Sequence, residues 1–267
     1  NDKYLISLHT DGSVNVWDIY SGKLVRVFHE TTEWAYAFTI SLDGKSIILP
    51  GANNSIKIYD IETGTLSGSM NHNPATIRSI ILNPVNGNII AGENVNNKGT
   101  LCEWDSNSKQ LIKKMEFEKE IDKLHFSPDG NLLYVLIYSG YDGGIFRVLD
   151  YKNHKMLYEE SHINYFTVDQ GCNSLALIDN DKKAVVLNSK TFKPKSTLID
   201  FTNDYFISAE FTPDQQSLIT KKGNQIEEWD VVTGLKKRTF SSAPAIKPYS
   251  HRLSAFKNEW LLIGNLL

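Results

Sequence analysis

The side chains of this 267-residue chain best suited to hold a metal, attack a carbonyl or move a proton are seven histidines, two cysteines and two pairs of adjacent glutamates. Their spacing argues against each use. His9, His29, His72, His125, His154, His162 and His251 stand apart, with no helical i, i+4 pair and no Cys/His cluster at zinc-ligand spacing. Cys102 lies on an alternating stretch beside Trp104, and Cys172 lies in a turn; neither has a base near it in sequence that would activate a thiolate. Glu159-Glu160 and Glu227-Glu228 are consecutive, so on a strand they point to opposite faces and cannot share a proton. Gly44-Lys45-Ser46 looks like the end of a phosphate-binding loop, but Thr39 stands where that loop needs its first glycine, and the stretch reads as a β-turn. Tyr138 to Gly144 shares only its glycine content with a nucleotide loop. No Gly-x-Ser-x-Gly elbow or His-Glu-x-x-His pair occurs. The reading is therefore no catalytic residue, no metal site, no cofactor, and no enzyme.

Composition narrows the classes further. Hydrophobic residues make up 41% of the chain, enough to bury a sizeable core, and the formal net charge is −3. Such a balance supplies no basic footprint for a phosphate backbone, so nucleic acid is not the expected partner. No apolar run reaches the roughly 20 residues of a membrane-spanning helix. Two cysteines cannot build a disulfide framework, which favours a reducing, cytoplasmic setting.

The elements that must position any site come from a repeat. Six segments superimpose without gaps, beginning at Val14, Ile56, Leu101, Phe146, Ala184 and Ile226. Their anchors, Trp17, Tyr59, Trp104, Leu149, Leu187 and Trp229, recur about every 40 residues. Asp18, Asp60, Asp105, Asp150 and Asp230 follow five anchors and Asn188 the sixth. Three copies then reach a glycine, Gly22, Gly64 or Gly234. An Asp carboxylate accepts N–H bonds inside such a turn, and Gly supplies the positive φ that closes the hairpin. Upstream of each hairpin two more strands meet at a second turn, seen most cleanly as Ser127-Pro128-Asp129-Gly130. The innermost strands are expected over 34–40, 77–82, 121–126, 163–168 and 206–211. No segment carries a useful amphipathic-helix pattern. Four strands per unit, repeated, predict an all-β radial array.

These residues resemble the WD-repeat β-propeller family: Trp17-Asp18, Trp104-Asp105 and Trp229-Asp230 keep its dipeptide, Tyr59-Asp60 and Leu149-Asp150 weaken it, and the likeness covers nearly the whole chain. The run from Phe126 to Asp150 also resembles YVTN-type propellers of bacterial surfaces. The family's buried tetrad of Asp, His, Ser or Thr, and Trp is incomplete. Asp11 and Asp181 hold the Asp position, while Asn53, Lys98, Gly143 and Gly223 replace it elsewhere. His29 and His72 lie near the His sites, and Ser79 and Ser208 fit the Ser site. The resemblance implies a propeller of four-stranded antiparallel blades held more by apolar packing than by that network. It covers 1–267 as one domain, read as a fragment of a longer protein. The first unit lacks its innermost strand, and Arg252–Phe256 and Trp260–Ile263 read as the first two strands of a seventh. A six-bladed ring, with Arg252–Phe256 completing the first blade, is the alternative to the preferred seven.

The resemblance also implies a binding surface. In this family the fourth residue before each inner turn's anchor points to one mouth of the ring. Here those residues are Tyr36, Arg78, Asp122, Asn164, Ile207 and Arg252, with Trp34 and Tyr205 nearby. Aromatic and Arg side chains dominate binding hot spots, so the expected function is a non-enzymatic scaffold holding a peptide or protein segment, an acidic one by its arginines, within a larger complex or multidomain chain. Two alternatives stay open: a metal-dependent propeller hydrolase or lactonase, for which only Asp122 and Asn164 qualify as ligands, and a surface adhesion propeller, favoured by the sequon Asn53-Asn54-Ser55.

Overall fold

A computed structural model describes residues 3–9, 13–29, 37–51, 55–71, 75–138, 143–179, 183–198, 206–222, 225–241, 252–256 and 259–263. Every regular element among them is a strand. The first sheet runs β1 (Tyr4–Leu8), β2 (Ser13–Asp18) and β3 (Leu24–His29) in that order. Sheet two is β4 (Thr39–Ile40), β5 (Ser46–Gly51), β6 (Ser55–Asp60) and β7 (Leu66–Asn71). Sheet three is β8 (Thr76–Leu82), β9 (Ile89–Val95), β10 (Lys98–Trp104) and β11 (Leu111–Phe117). Sheet four holds β12 (Ile121–Phe126), β13 (Leu132–Ile137), β14 (Gly144–Asp150) and the start of β15 (Lys155–Val168). The end of β15 opens sheet five, with β16 (Ser174–Asp179), β17 (Ala184–Asn188) and β18 (Pro194–Thr197). Sheet six is β19 (Phe206–Phe211), β20 (Ser217–Lys222), β21 (Gln225–Asp230) and β22 (Lys236–Ser241), and sheet seven is β23 (Arg252–Phe256) with β24 (Glu259–Ile263). All pairings whose register is defined are antiparallel, for example Trp104 opposite Ile89 and Trp229 opposite Leu218.

The chain forms two compact units. One contains 1–139 and 146–159, the other 140–145 and 160–267. In the first, Val14, Val16 and Phe28 of sheet one pack on Ile47, Leu49 and Tyr59 of sheet two, with the Phe28 and Tyr59 rings 5.0 Å apart. Sheet two's other face, with Ile48, Ile56, Ile58 and Met70, packs on Ile77, Ile80, Ala91, Cys102 and Trp104 of sheet three. In the second unit, Ala176, Ile178 and Val186 of sheet five pack on Ala209, Leu218 and Trp229 of sheet six. Sheet two is apolar on both faces because sheets one and three cover it, which explains why Ile47–Leu49 reads as a continuous apolar run. Outer-strand side chains also reach into the next sheet's turn. Arg26 Nη2 donates to the Glu62 carbonyl (2.6 Å), Lys113 Nζ to that of Tyr151 (3.1 Å), and Ser196 Oγ to that of Val231 (2.6 Å).

The Asp-turn expectation holds at each hairpin. Asp18 Oδ1 accepts the backbone N–H of Tyr20 and Ser21, and Asp60, Asp105 and Asp230 are bonded likewise to Thr63, Ser108 and Thr233. These bonds favour the carboxylate form. They hold Asp18, Asp60 and Asp105 below the usual carboxylate range and Asp230 at about 2. At Gly234 (φ 70°) a side chain would collide with the Thr197 carbonyl oxygen, so glycine is obligatory there. Lys109, His154 and Phe192 fill the same left-handed place in other copies (φ 60°, 57° and 56°), and Cys172 and Gln215 fill it in the inner turns. Cys172 is thereby a turn residue, as its sequence position implied.

Candidate functional site

Each innermost strand has two ends of different character. It finishes at the Pro-Asp-type turn, where Ser127 Oγ donates to Asp129 (2.5 Å) and Asp129 accepts the Asn131 N–H (3.1 Å). In β8, β12, the inner part of β15 and β19 the start is a β-bulge. The register shifts between Ile77 and Ser79, Ile121 and Lys123, Ile163 and Tyr165, and Phe206 and Ser208. The extra residues are therefore Arg78, Asp122, Asn164 and Ile207, four of the positions selected from sequence. A bulge residue is left out of the ladder and re-aimed, and bulges recur beside binding sites. Arg252 is the first residue of β23, opposite Ile263. Trp34, Tyr36 and Tyr205 lie outside the described residues.

In the first unit the bulge end is a cluster. Arg78 Nη2 lies 2.9 Å from Glu120 Oε2, its Nη1 3.8 Å from Asp122 Oδ1, and its guanidinium 5.3 Å from the centre of the half-exposed Tyr138 ring. The Tyr138 N–H donates to the Glu120 carbonyl (2.8 Å), fixing the ring beside the carboxylate. Beneath the cluster, the buried Asn94 side chain clamps the start of β12: its Oδ1 accepts the Ile121 N–H (2.7 Å) and its Nδ2 donates to the Ile121 carbonyl (2.8 Å). Ser79 Oγ accepts the Leu124 N–H (3.0 Å), giving that serine an inter-sheet role. Glu120, Tyr138 and Asn94 were not singled out for this surface by sequence; the count back from the turn selects one residue per strand and is blind to neighbours supplied by loops and by other strands.

Several other chemistry-bearing residues have structural partners. Trp17 Nε1 donates to Ser7 Oγ (3.0 Å), which also lies 3.0 Å from His9 Nε2, and Trp229 Nε1 donates to Thr220 Oγ1 (2.9 Å). Trp104 and Tyr59 are buried between sheets. Cys102 is buried, and desolvation first, then the nearby Glu93 charge, push its thiol up to about 12, which removes it as a nucleophile. Glu103 is buried beneath two donors, Asn88 Nδ2 (2.9 Å) and Tyr151 OH (2.6 Å), and burial plus this bond raise the Tyr151 hydroxyl's pKa. Glu227 pairs with Lys236 (2.8 Å) and Glu228 with Arg238 (2.5 Å). Among the described residues no three His, Cys, Asp or Glu side chains converge as a metal site.

Comparison with known proteins places the architecture. The structure matches the β-propeller domain of Cps50 (Swd1) from Myceliophteria thermophila over 98% of this chain and 89% of that one, with a TM-score of 0.77 and 14% identity. In sequence, 64 residues are 33% identical to nuclear distribution protein nudF of Emericella nidulans, and 81 residues are 32% identical to mitogen-activated protein kinase kinase kinase A of Dictyostelium discoideum. These stretches span 24% and 30% of this chain but only 14% and 9% of those proteins. No family model matches the chain. The fold is a β-propeller of antiparallel sheets, with β15 joining sheets four and five into one seven-stranded ladder, and its Trp-Asp hairpins resemble those of WD-repeat propellers.

Proposed function

We propose that this propeller is a non-enzymatic interaction scaffold that holds a peptide or protein segment on the bulged starts of its innermost strands. Arg78 and Asp122 form the contact in the first unit, and Asn164, Ile207 and Arg252 are the corresponding positions in the second. In this reading Tyr36, Trp34 and Tyr205 extend the surface, residues 1–267 act as one seven-bladed domain, and the setting is cytoplasmic. A propeller keeps its sheet edges short and protected, which leaves recognition to loops and strand ends. The observation that carries the reading is the bulge itself. Four independent strands each expel one residue at the same place, at the cost of ladder pairing, and three of the expelled residues, Arg78, Asp122 and Asn164, are polar.

The test replaces Arg78 and Arg252 together by Ala. Proteins retained by the wild-type chain from its own host are identified by mass spectrometry and compared with those retained by the variant. The partner is expected to be lost while the melting temperature stays within a degree or two; undiminished capture contradicts the proposal.

A further inference from the structure

Sheet six buries a charge that its packing does not need. Lys221, in β20, is the only lysine or arginine buried among the described residues, at 3% exposure. Among those residues nothing accepts a hydrogen bond from its ammonium. The glutamates of sheet six are engaged elsewhere: Glu227 with Lys236, Glu228 with Ser217 and Arg238, and Glu210 with Thr167. Burial lowers the pKa of the amine, and no neighbouring charge offsets it. An ion held out of water without a partner is costly, and buried charges in folded chains are paired.

The place of this lysine is the bulge end. Ser208 opposite Lys221 is the first ladder pair after the bulge residue Ile207. The equivalent pairs in sheets three, four and five are Ser79 with Gly92, Lys123 with Leu136, and Tyr165 with Ile178. Gly, Leu and Ile serve at that position, so neither the ladder nor the packing calls for a cation. The next residue back, Thr220, accepts the Trp229 indole N–H (2.9 Å), and that indole packs on sheet five. Side chains alternate along a strand, so Lys221 lies on the face turned away from sheet five. Lysine is a flexible four-carbon stem ending in three donors, and its ammonium can turn to an acceptor arriving at the bulge while the backbone stays in place. A carboxylate supplies what is missing, an opposite charge and hydrogen-bond acceptors, in a site where exclusion of water strengthens both.

We infer that Lys221 is the receptor for an Asp or Glu side chain of the segment held at the bulge end of sheet six, so that the partner is acidic at this point. Arg78, the cation at a bulge end of the first unit, is already paired with Glu120 at 2.9 Å, which leaves Lys221 as the cation with its pairing still to be made. This rests on the reading of the bulge ends as the binding surface.

Random peptides displayed on phage are selected against the intact chain. Wild type is expected to enrich sequences with an Asp or Glu at a constant position. A synthetic peptide of that consensus should bind Lys221→Met about tenfold or more weakly, while Lys221→Arg retains binding. Because the substitution removes an unpaired buried charge, free Lys221→Met should melt at or above the wild-type temperature. A lower melting temperature would show that the ammonium is paired within the chain, and would overturn the inference. Peptides lost with Arg78→Ala or Ile207→Ala but unaffected by Lys221→Met would overturn the assignment to Lys221 and leave the surface standing. Peptides indifferent to all three substitutions, or no enrichment, would overturn both.

Discussion

The two ends of one strand, β12, show what this chain spends its polar residues on. At its far end Ser127, Asp129 and Asn131 bond one another and the local backbone, and no carboxylate oxygen is wasted. At its near end Asp122 bonds nothing but a distant guanidinium, while a buried asparagine from sheet three does the structural task. Both ends carry an Asp, and only the partners distinguish them. A polar side chain whose local hydrogen bonds are made by something else is free for an external ligand, which is why the bulge ends carry the functional proposal and the turn ends do not.

Five substitutions sharpen that contrast, taken from the largest effect. Trp229→Ala removes a fully buried indole and its bond to Thr220; it should cost about 3–5 kcal/mol in urea unfolding. Asn94→Ala should cost about 1–3 kcal/mol, since it leaves the Ile121 N–H and carbonyl buried without partners, and it should also weaken peptide binding by loosening the bulge. His154→Gly should stabilise by about 1 kcal/mol, because an exposed non-glycine residue at φ 57° is strained. Arg78→Ala and Asp122→Asn should each change stability by less than about 1 kcal/mol, as partly exposed ion-pair partners do. A large destabilisation from either would erase the distinction between the two ends.

The turn ends also set the acid limit. The Asp230 carboxylate has a folded pKa of about 2 against an ordinary 3.8. A depressed folded value means its contribution is complete above the ordinary value and is lost as pH falls toward the folded one. Stability should therefore decline between 3.8 and about 2, and the decline should be shallower in Asp230→Asn. Equal acid slopes for the variant and wild type would show that the turn bonds are not coupled to folding.

Much of this architecture was legible in the residues. The anchors, the Asp turns and the strand limits of β12 and β19 follow from alternation and turn chemistry, and counting back from each turn selected the bulge residues. Other features had no local signal. β15 runs unbroken through Glu159 to Ile163, with His162 at φ 64°, because a left-handed residue inside a strand can be read only from pairing on both sides. Lys109, Phe192, Cys172 and Gln215 take left-handed turn positions without glycine, since the flanking ladders impose the turn on whatever residue falls there. Asn94 looks like any strand residue until Ile121, 27 positions away, is beside it. The engagement of Arg78 by Glu120 and Tyr138 was hidden for the same reason.

The most direct measurement is binding of one selected or native partner to two matched variants, Asp122→Asn at the bulge and Asp129→Asn at the turn of the same strand, with thermal melting of each. We expect the bulge variant to lose binding at unchanged melting temperature and the turn variant to melt lower while binding normally in the cold. Unchanged affinity in the bulge variant, or equal loss in both, would contradict the separation of stability and recognition along β12.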